Sequence, residues 1–151
     1  MDDLDRKILD IVQRNNQSPA DAIARQIGLS ASAVQRRLKR LRDSGVIEGD
    51  VSTVSPEALG RNFLAIVSIV LEAESPQIRR KFAAIAREMP EIMQCYFVTG
   101  ETADFFLVIT ARDKDDYNAI MLRLTDRFPG IKRYTTNVVL ERLKSGLSVP
   151  T

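Results

Sequence analysis

Over the first sixty residues the apolar positions follow a helical period. Leu4, Ile8, Ile11 and Val12 share one face and predict a helix from about Leu4 to Arg14. Asn15-Asn16-Gln17 interrupts it. Ser18-Pro19-Ala20-Asp21 then reads as a helix start, with Ser18 as N-cap, Pro19 in the first position and Asp21 completing a capping box. This second helix buries Ala22, Ile23 and Ile27 and stops at Gly28. Ser30 is a second N-cap. A third helix runs from Ala31 to about Ser44, with Gly45 as its stop. Val34, Leu38 and Leu41 form its inward stripe, while Ser32, Ala33, Gln35, Arg36, Arg37, Lys39 and Arg40 lie on the other face.

Beyond residue 60 the period changes. Val46 to Val54 is an extended connector, and Ser55-Pro56-Glu57-Ala58-Leu59-Gly60 a single helical turn with its stop. Phe63 to Leu71 is a strand. Ser75-Pro76 opens a helix with Ile78, Phe82, Ile85 and Met89 on one side, ended by Pro90. Ile92–Val98 and Asp104–Thr110 are strands around a turn at Thr99–Ala103. Asp113 and Asp116 cap a helix carrying Tyr117, Ile120, Met121, Leu124 and Phe128, and Ile131 to Leu143 is a fourth strand. The order βαββαβ is ferredoxin-like. The fold class is therefore α+β: an N-terminal, winged-helix-like helix-turn-helix domain (1–50), a connector (51–61) and a C-terminal ferredoxin-like domain (62–151).

In such a domain both helices cover the same sheet face, and a wet opposite face should be polar. Here the first strand is apolar on both sides, with Phe63, Ala65, Val67, Ile69 and Leu71 on one and Leu64, Ile66 and Val70 on the other. The run Phe105-Phe106-Leu107-Val108-Ile109 repeats this. The pattern predicts a homodimer closed through the open sheet faces.

Composition narrows the chemistry. The chain has 151 residues, 44% of them apolar, enough for a packed core. No apolar run is long enough to span a bilayer, and the acidic start Met1-Asp2-Asp3-Leu4-Asp5 is no signal peptide, so the expected location is cytoplasmic. One cysteine, Cys95, and no histidine argue against an internal disulfide, a zinc site and the commonest general base. Asp113, Asp115 and Asp116 sit at a helix start, where acids favour the dipole, rather than forming a metal cluster. No metal, cofactor or catalytic residue is expected, and an enzyme on this scaffold is disfavoured.

The net charge is only +2, but from Arg25 to Arg42 six cations, Arg25, Arg36, Arg37, Lys39, Arg40 and Arg42, run without an intervening acid. Such a stripe is either a solvated helix face or a surface for a polyanion. Two short helices around a Gly-containing turn decide for double-stranded DNA, because a helix-turn-helix lays its second helix in the major groove. Ser32, Ala33, Gln35 and Arg36 then reach base edges, where Gln pairs with adenine and Arg with guanine. Arg37, Lys39 and Arg40 suit phosphates. Ser30 caps its own helix and stands at the same groove-facing end.

These residues also carry a resemblance. Leu4-Asp5-Arg6-Lys7-Ile8-Leu9, the run Ile27 to Leu41, the exit Gly45-Val46-Ile47 with Gly49, Val98-Thr99-Gly100 with Asp104, and Thr136-Asn137-Val138-Val139-Leu140 resemble the Lrp/AsnC (feast/famine) family of prokaryotic transcription regulators. The resemblance spans almost the whole chain. It implies dimers through the regulatory domain, assembly to octamers, nucleoid association and an amino-acid effector bound between dimers. Carried onto this chain, the effector positions are Gly100, Glu101, Thr102, Ala103 and Asp104, with Thr136 and Asn137 nearby. Gly100 can present backbone N–H groups to a carboxylate, and Asp104 or Glu101 can receive an ammonium. Three residues separate Gly100 from Asp104, one more than the family's usual spacing. The leading expectation is an effector-modulated, sequence-specific transcription regulator. The alternative is an architectural DNA-binding protein of the same fold with no effector.

Overall fold

Contacts in the computed structural model, which describes all 151 residues, divide the chain into two units. One comprises Met1–Thr53 with Lys144–Thr151, the other Val54–Leu143.

The first unit is built on helices α1 (Asp3–Val12), α2 (Ala20–Ile27) and α3 (Ala31–Asp43). Asp2 caps α1 by accepting from Asp5 N–H, and the Asp5 carboxylate reaches back to Asp2 N–H, a reciprocal box made of two acids. The start of α2 differs from the expectation. Pro19 stays extended (φ −63°, ψ 147°) and is itself the cap residue, with no side-chain acceptor, so Ser18 and Asp21 form no capping box. The Pro19 carbonyl takes the N–H groups of Ala22 and Ile23, and the proline ring lacks a donor of its own. Gly28 ends α2 in the left-handed region (φ 72°), which a glycine adopts without Cβ strain. Ser30 does cap α3, accepting from Ala33 N–H at 3.2 Å. Ile8, Leu9, Ile23, Ala24, Val34, Leu38 and Leu41 form the core of this unit.

The second unit opens with a 3₁₀ turn, Glu57–Leu59. It continues through β1 (Phe63–Leu71), α4 (Pro76–Glu88), β2 (Ile92–Phe97), β3 (Phe105–Ala111), α5 (Lys114–Arg127) and β4 (Ile131–Val138). The sheet order is β2-β3-β1-β4 with every neighbour antiparallel, the ferredoxin-like arrangement. Ala65, Val67, Ile69 and Leu71 of β1 meet Phe105, Leu107 and Ile109 of β3 on the helix-covered face. There they pack against Phe82, Ile85, Tyr117, Ile120, Met121, Leu124 and Phe128. Phe82 anchors this layer, with its ring 4.4 Å from Phe105 and 5.2 Å from Phe128, edge-on to the latter.

β4 is shorter than its apolar pattern predicts. It pairs only with β1, and the last bond, from Val139 N–H to the Leu64 carbonyl, lies one residue from the start of β1. Beyond it no strand remains to pair with, so Leu140 and Leu143 are exposed outside the sheet. The opposite face of the sheet carries the aligned pairs Leu64/Thr110, Ile66/Val108 and Ser68/Phe106 across β1 and β3. No helix covers it. Ile66 is 40% exposed and Tyr96, beside Phe106, 52%. The buried Thr110 hydroxyl on this face has no partner within the chain.

Candidate nucleic-acid interface and effector turn

The first unit presents α3 with its inward stripe buried, so the remaining positions are fixed in direction. Ser32, Gln35 and Arg36 are exposed, and Ala33 is partly so. The hydroxyls of Ser30 and Ser32 meet at 3.1 Å at the start of the helix. No acid lies in that first turn, and the basic residues Arg40 and Arg42 fall in the last, which suits the helix dipole at the second end and leaves the first attractive to an anion. Gln35 and Arg36 take no part in the ion pairs that engage their neighbours.

Those ion pairs give the remaining cations of α3 a different employment from the one expected. Arg37 is turned inward, its side chain only 18% exposed. Its Nη1 donates to both Asp2 carboxylate oxygens (2.9 and 2.8 Å) and to Asp5 Oδ1 (2.7 Å). Arg40 Nη2 donates to both oxygens of Asp5, at 2.8 and 2.7 Å, while the rest of its side chain stays exposed. Lys39 pairs with Asp43 one turn on, and Arg42 with Asp50, which draws the chain beyond α3 back along it. Arg37 is thus a brace between α1 and α3 rather than a free phosphate contact.

Asp5 is the centre of this brace and was missed as a functional residue. It is fully buried. Burial pushes its carboxyl up, but the Asp2 N–H, Arg37 and Arg40 more than offset that and hold it below the usual range. Asp2 is held at about 2 by the Asp5 N–H and by Arg37. The signal was present, since Asp5 sits on the same stripe as Ile8, Leu9 and Val12, where a carboxylate needs partners.

In the second unit the turn after β2 is pinned rather than free. Val98 N–H donates to the Asp104 carbonyl, and Asp104 N–H to the Ile69 carbonyl. Asp104 Oδ2 accepts from Leu71 N–H at 2.7 Å, so one carboxylate oxygen is committed to the end of β1. Ala103 is buried, whereas Gly100, Glu101 and Thr102 are exposed. Gly100 has no positive φ, and a Cβ there would meet nothing within 4 Å. Nothing in the single chain therefore requires glycine at that position. Thr136 and Asn137 lie opposite Val67 and Ile66, on alternate faces of β4. The Thr136 hydroxyl meets the Tyr117 hydroxyl at 2.5 Å, and Asn137 Nδ2 donates to the Ile66 carbonyl at 3.4 Å. Two surface concavities of the chain are lined by other residues, one by Pro56, Glu57, Arg61, Asn62 and Leu64 with Val139–Arg142, the other by Glu88–Glu91 with Arg123 and Arg127.

Asp113 and Asp116 act as caps at the start of α5, and Asp115 lies in its first turn. Asp113 accepts from Asp116 N–H, and Asp116 pairs with Arg112 at 2.7 Å. Burial pushes the Cys95 thiol up, which disfavours a nucleophilic thiolate. No helix is long and apolar enough to cross a membrane.

Comparison with known proteins matches both units. Residues 1–48 match a winged helix-turn-helix DNA-binding family and residues 64–149 the Lrp/AsnC ligand binding domain. An HTH-type transcriptional regulator of Sinorhizobium fredii is 43% identical over 99% of this chain and 88% of its own length. The crystal structure of an AsnC family transcriptional regulator from Agrobacterium tumefaciens is similar with a TM-score of 0.93 at 27% identity, covering 99% of this chain and 97% of that one. A transcriptional regulator from Neisseria meningitidis, solved as a complex with L-methionine, is similar with a TM-score of 0.90 at 29% identity, covering 99% and 96% of the two chains.

The brace predicts acid sensitivity. Both carboxyls are depressed on folding, so their stabilisation is complete above the unfolded Asp value near 4 and is lost as pH falls toward the Asp2 value of about 2. Circular-dichroism melting between pH 5 and pH 2 should show the midpoint falling in the wild type. The fall should be shallower in Asp2→Asn, which starts from a lower midpoint. Asp5→Ala, which removes the buried acceptor shared by Arg37 and Arg40 and the acceptor of Asp2 N–H, should cost about 2 kcal/mol in urea unfolding. Parallel pH curves, together with an unaltered urea midpoint, would remove the brace from the account.

Proposed function

The chain belongs to the Lrp/AsnC family of DNA-binding transcription regulators, and on that premise we propose that it reads specific operators as a homodimer and answers to an amino acid or a related small molecule. One observation carries the DNA reading: on a helix whose other cations are paired, Gln35 and Arg36 stay exposed and uncommitted at the groove-facing half. Ser32, Gln35 and Arg36, beside Ala33, read base edges. Ser30 and the N-terminal turn of α3 face a phosphate, and Lys39 and the exposed part of Arg40 add backbone attraction. Arg37 contributes by holding α3 in place.

Pairing runs through the uncovered sheet face, where Leu64, Ile66, Val70, Phe106 and Val108 supply the apolar surface and Thr110 a hydroxyl in want of a partner. The effector lies where dimers meet, at the turn Gly100–Asp104, with Thr136 and Asn137 contributed from β4. Support comes from Gly100, whose missing side chain serves no need of its own chain and fits the close approach of another molecule. Glu101 is exposed and is the better acceptor for an ammonium group, because Asp104 already serves Leu71 N–H. Octamers would bring such turns together. A location in the cytoplasm, on the nucleoid, follows from this reading.

Three outcomes test it. Arg36→Ala should weaken operator binding by about 1–3 kcal/mol and relax the preference at one base pair, read by gel-shift titration on operator variants. Equal affinity for all sequences before and after the change would favour the architectural alternative. Ile66→Asp should convert dimers to monomers in light scattering, since a charge cannot be buried unpaired in that face; persistent dimers would move the interface elsewhere. A thermal-shift screen against the twenty amino acids should raise the melting temperature with one chemical group of them. Gly100→Val should abolish that rise while leaving the ligand-free melting temperature unchanged. No rise with any amino acid would leave the effector half without support.

A further inference from the structure

Segment Lys144–Thr151 follows the regulatory unit in sequence but packs with the DNA-binding unit. The contact is specific in its atoms. The Gln13 side chain reads the main chain of Val149 with both ends of its amide: Nε2 donates to the Val149 carbonyl (3.1 Å), and Oε1 accepts from Val149 N–H (2.8 Å). Two residues on, the Thr151 hydroxyl donates to Asp10 Oδ1 at 2.5 Å. The spacing fits on both sides. Asp10 and Gln13 are three apart on a helix and so are neighbours, and residues two apart on an extended chain point the same way. Gln13 is also the C-cap residue of α1, an end with no cation in its last turn and no glycine to close it. The carboxamide acts toward Val149 as a neighbouring strand would.

We propose that Lys144–Thr151 is a strap that docks on the C-terminal turn of α1 and stiffens the helix on which α3 is braced. The occupant is this chain's own segment, selected by the two main-chain bonds at Val149 and the one side-chain bond at Thr151. The strap is specific without being strong. Leu147 is 77% exposed and Val149 65%, so little apolar area is buried and the segment is held by hydrogen bonds. It is therefore built to release. α1 is the helix whose Asp2 and Asp5 hold Arg37 and Arg40, so a change at its far end bears on the placement of Gln35 and Arg36.

Hydrogen exchange on the full-length chain tests this. The Val149 amide should be protected, and Gln13→Ala should speed its exchange roughly tenfold, the worth of two net hydrogen bonds in partial competition with water. In both Gln13→Ala and a chain ended at Leu143, the amides of Arg14 and Asn15, which donate to the Ile11 carbonyl, should exchange faster than in the wild type. Operator affinity should fall a few-fold in both; this last readout alone rests on the DNA-binding reading, and the exchange data stand without it. A Val149 amide exchanging as fast as in an unstructured peptide would overturn the strap. Unaltered exchange at α1 in both variants would do so too. Protection of Val149 that declines on dilution would overturn the assignment to the same chain in favour of a second copy's segment.

Discussion

A carboxylate taken out of water must be paired, and Asp5 is paired twice, with both partners on α3. This single requirement organises the N-terminal unit. Hydrophobic contact between α1 and α3 would tolerate some rotation of one helix on the other. Two guanidiniums converging on one buried carboxylate restrict it, because each must keep a terminal nitrogen within hydrogen-bond reach of Asp5. The apolar core supplies the adhesion and the Asp2–Asp5–Arg37–Arg40 cluster supplies the angle.

The regulatory unit rests on a different constraint. β1 is central in the sheet, hydrogen-bonded to β3 on one side and β4 on the other, and apolar on both faces. Its helix-side residues are sealed by α4 and α5, whereas its other face is left with Ile66 and the flanking Tyr96 in solvent. The Thr110 hydroxyl, buried and unpartnered, lies in the same layer. An apolar surface and an unsatisfied polar atom on one face make that face suited to being covered.

Much of this was legible in the sequence. Helical and strand periods located every element, and the nearly unbroken apolar run from Phe63 to Leu71 gave β1 its observed limits, because a central strand that is apolar on both faces carries the strongest pattern. The edges were harder. β4 ends five residues before its apolar pattern does, since an edge strand lasts only as long as its one neighbour, and pairing length is not written in hydrophobicity. At Ser18 the local motif pointed to a cap, but Pro19 in an extended conformation took that place. On α3 the sequence showed seven outward positions but not which of them were spoken for. Arg37 and Arg40 find partners more than thirty residues away, and no local rule reveals such a pairing. The turn at Gly100–Asp104 was found by resemblance, while its internal bonding to β1 emerged only in three dimensions.

The division of labour on α3 has a consequence for how such a protein changes over generations. The residues that hold the helix and those that face outward from it are different residues. Ser32, Gln35 and Arg36 carry little of the fold, and substitutions at exposed positions of that kind usually shift stability by no more than about 0.5 kcal/mol. Arg37 and Arg40 have no such freedom. On the reading proposed above, two copies could drift after gene duplication toward different operators through the first set while the second preserved a folded, correctly angled helix. Repertoires of paralogous regulators can diversify quickly where innovation and integrity are assigned to separate side chains.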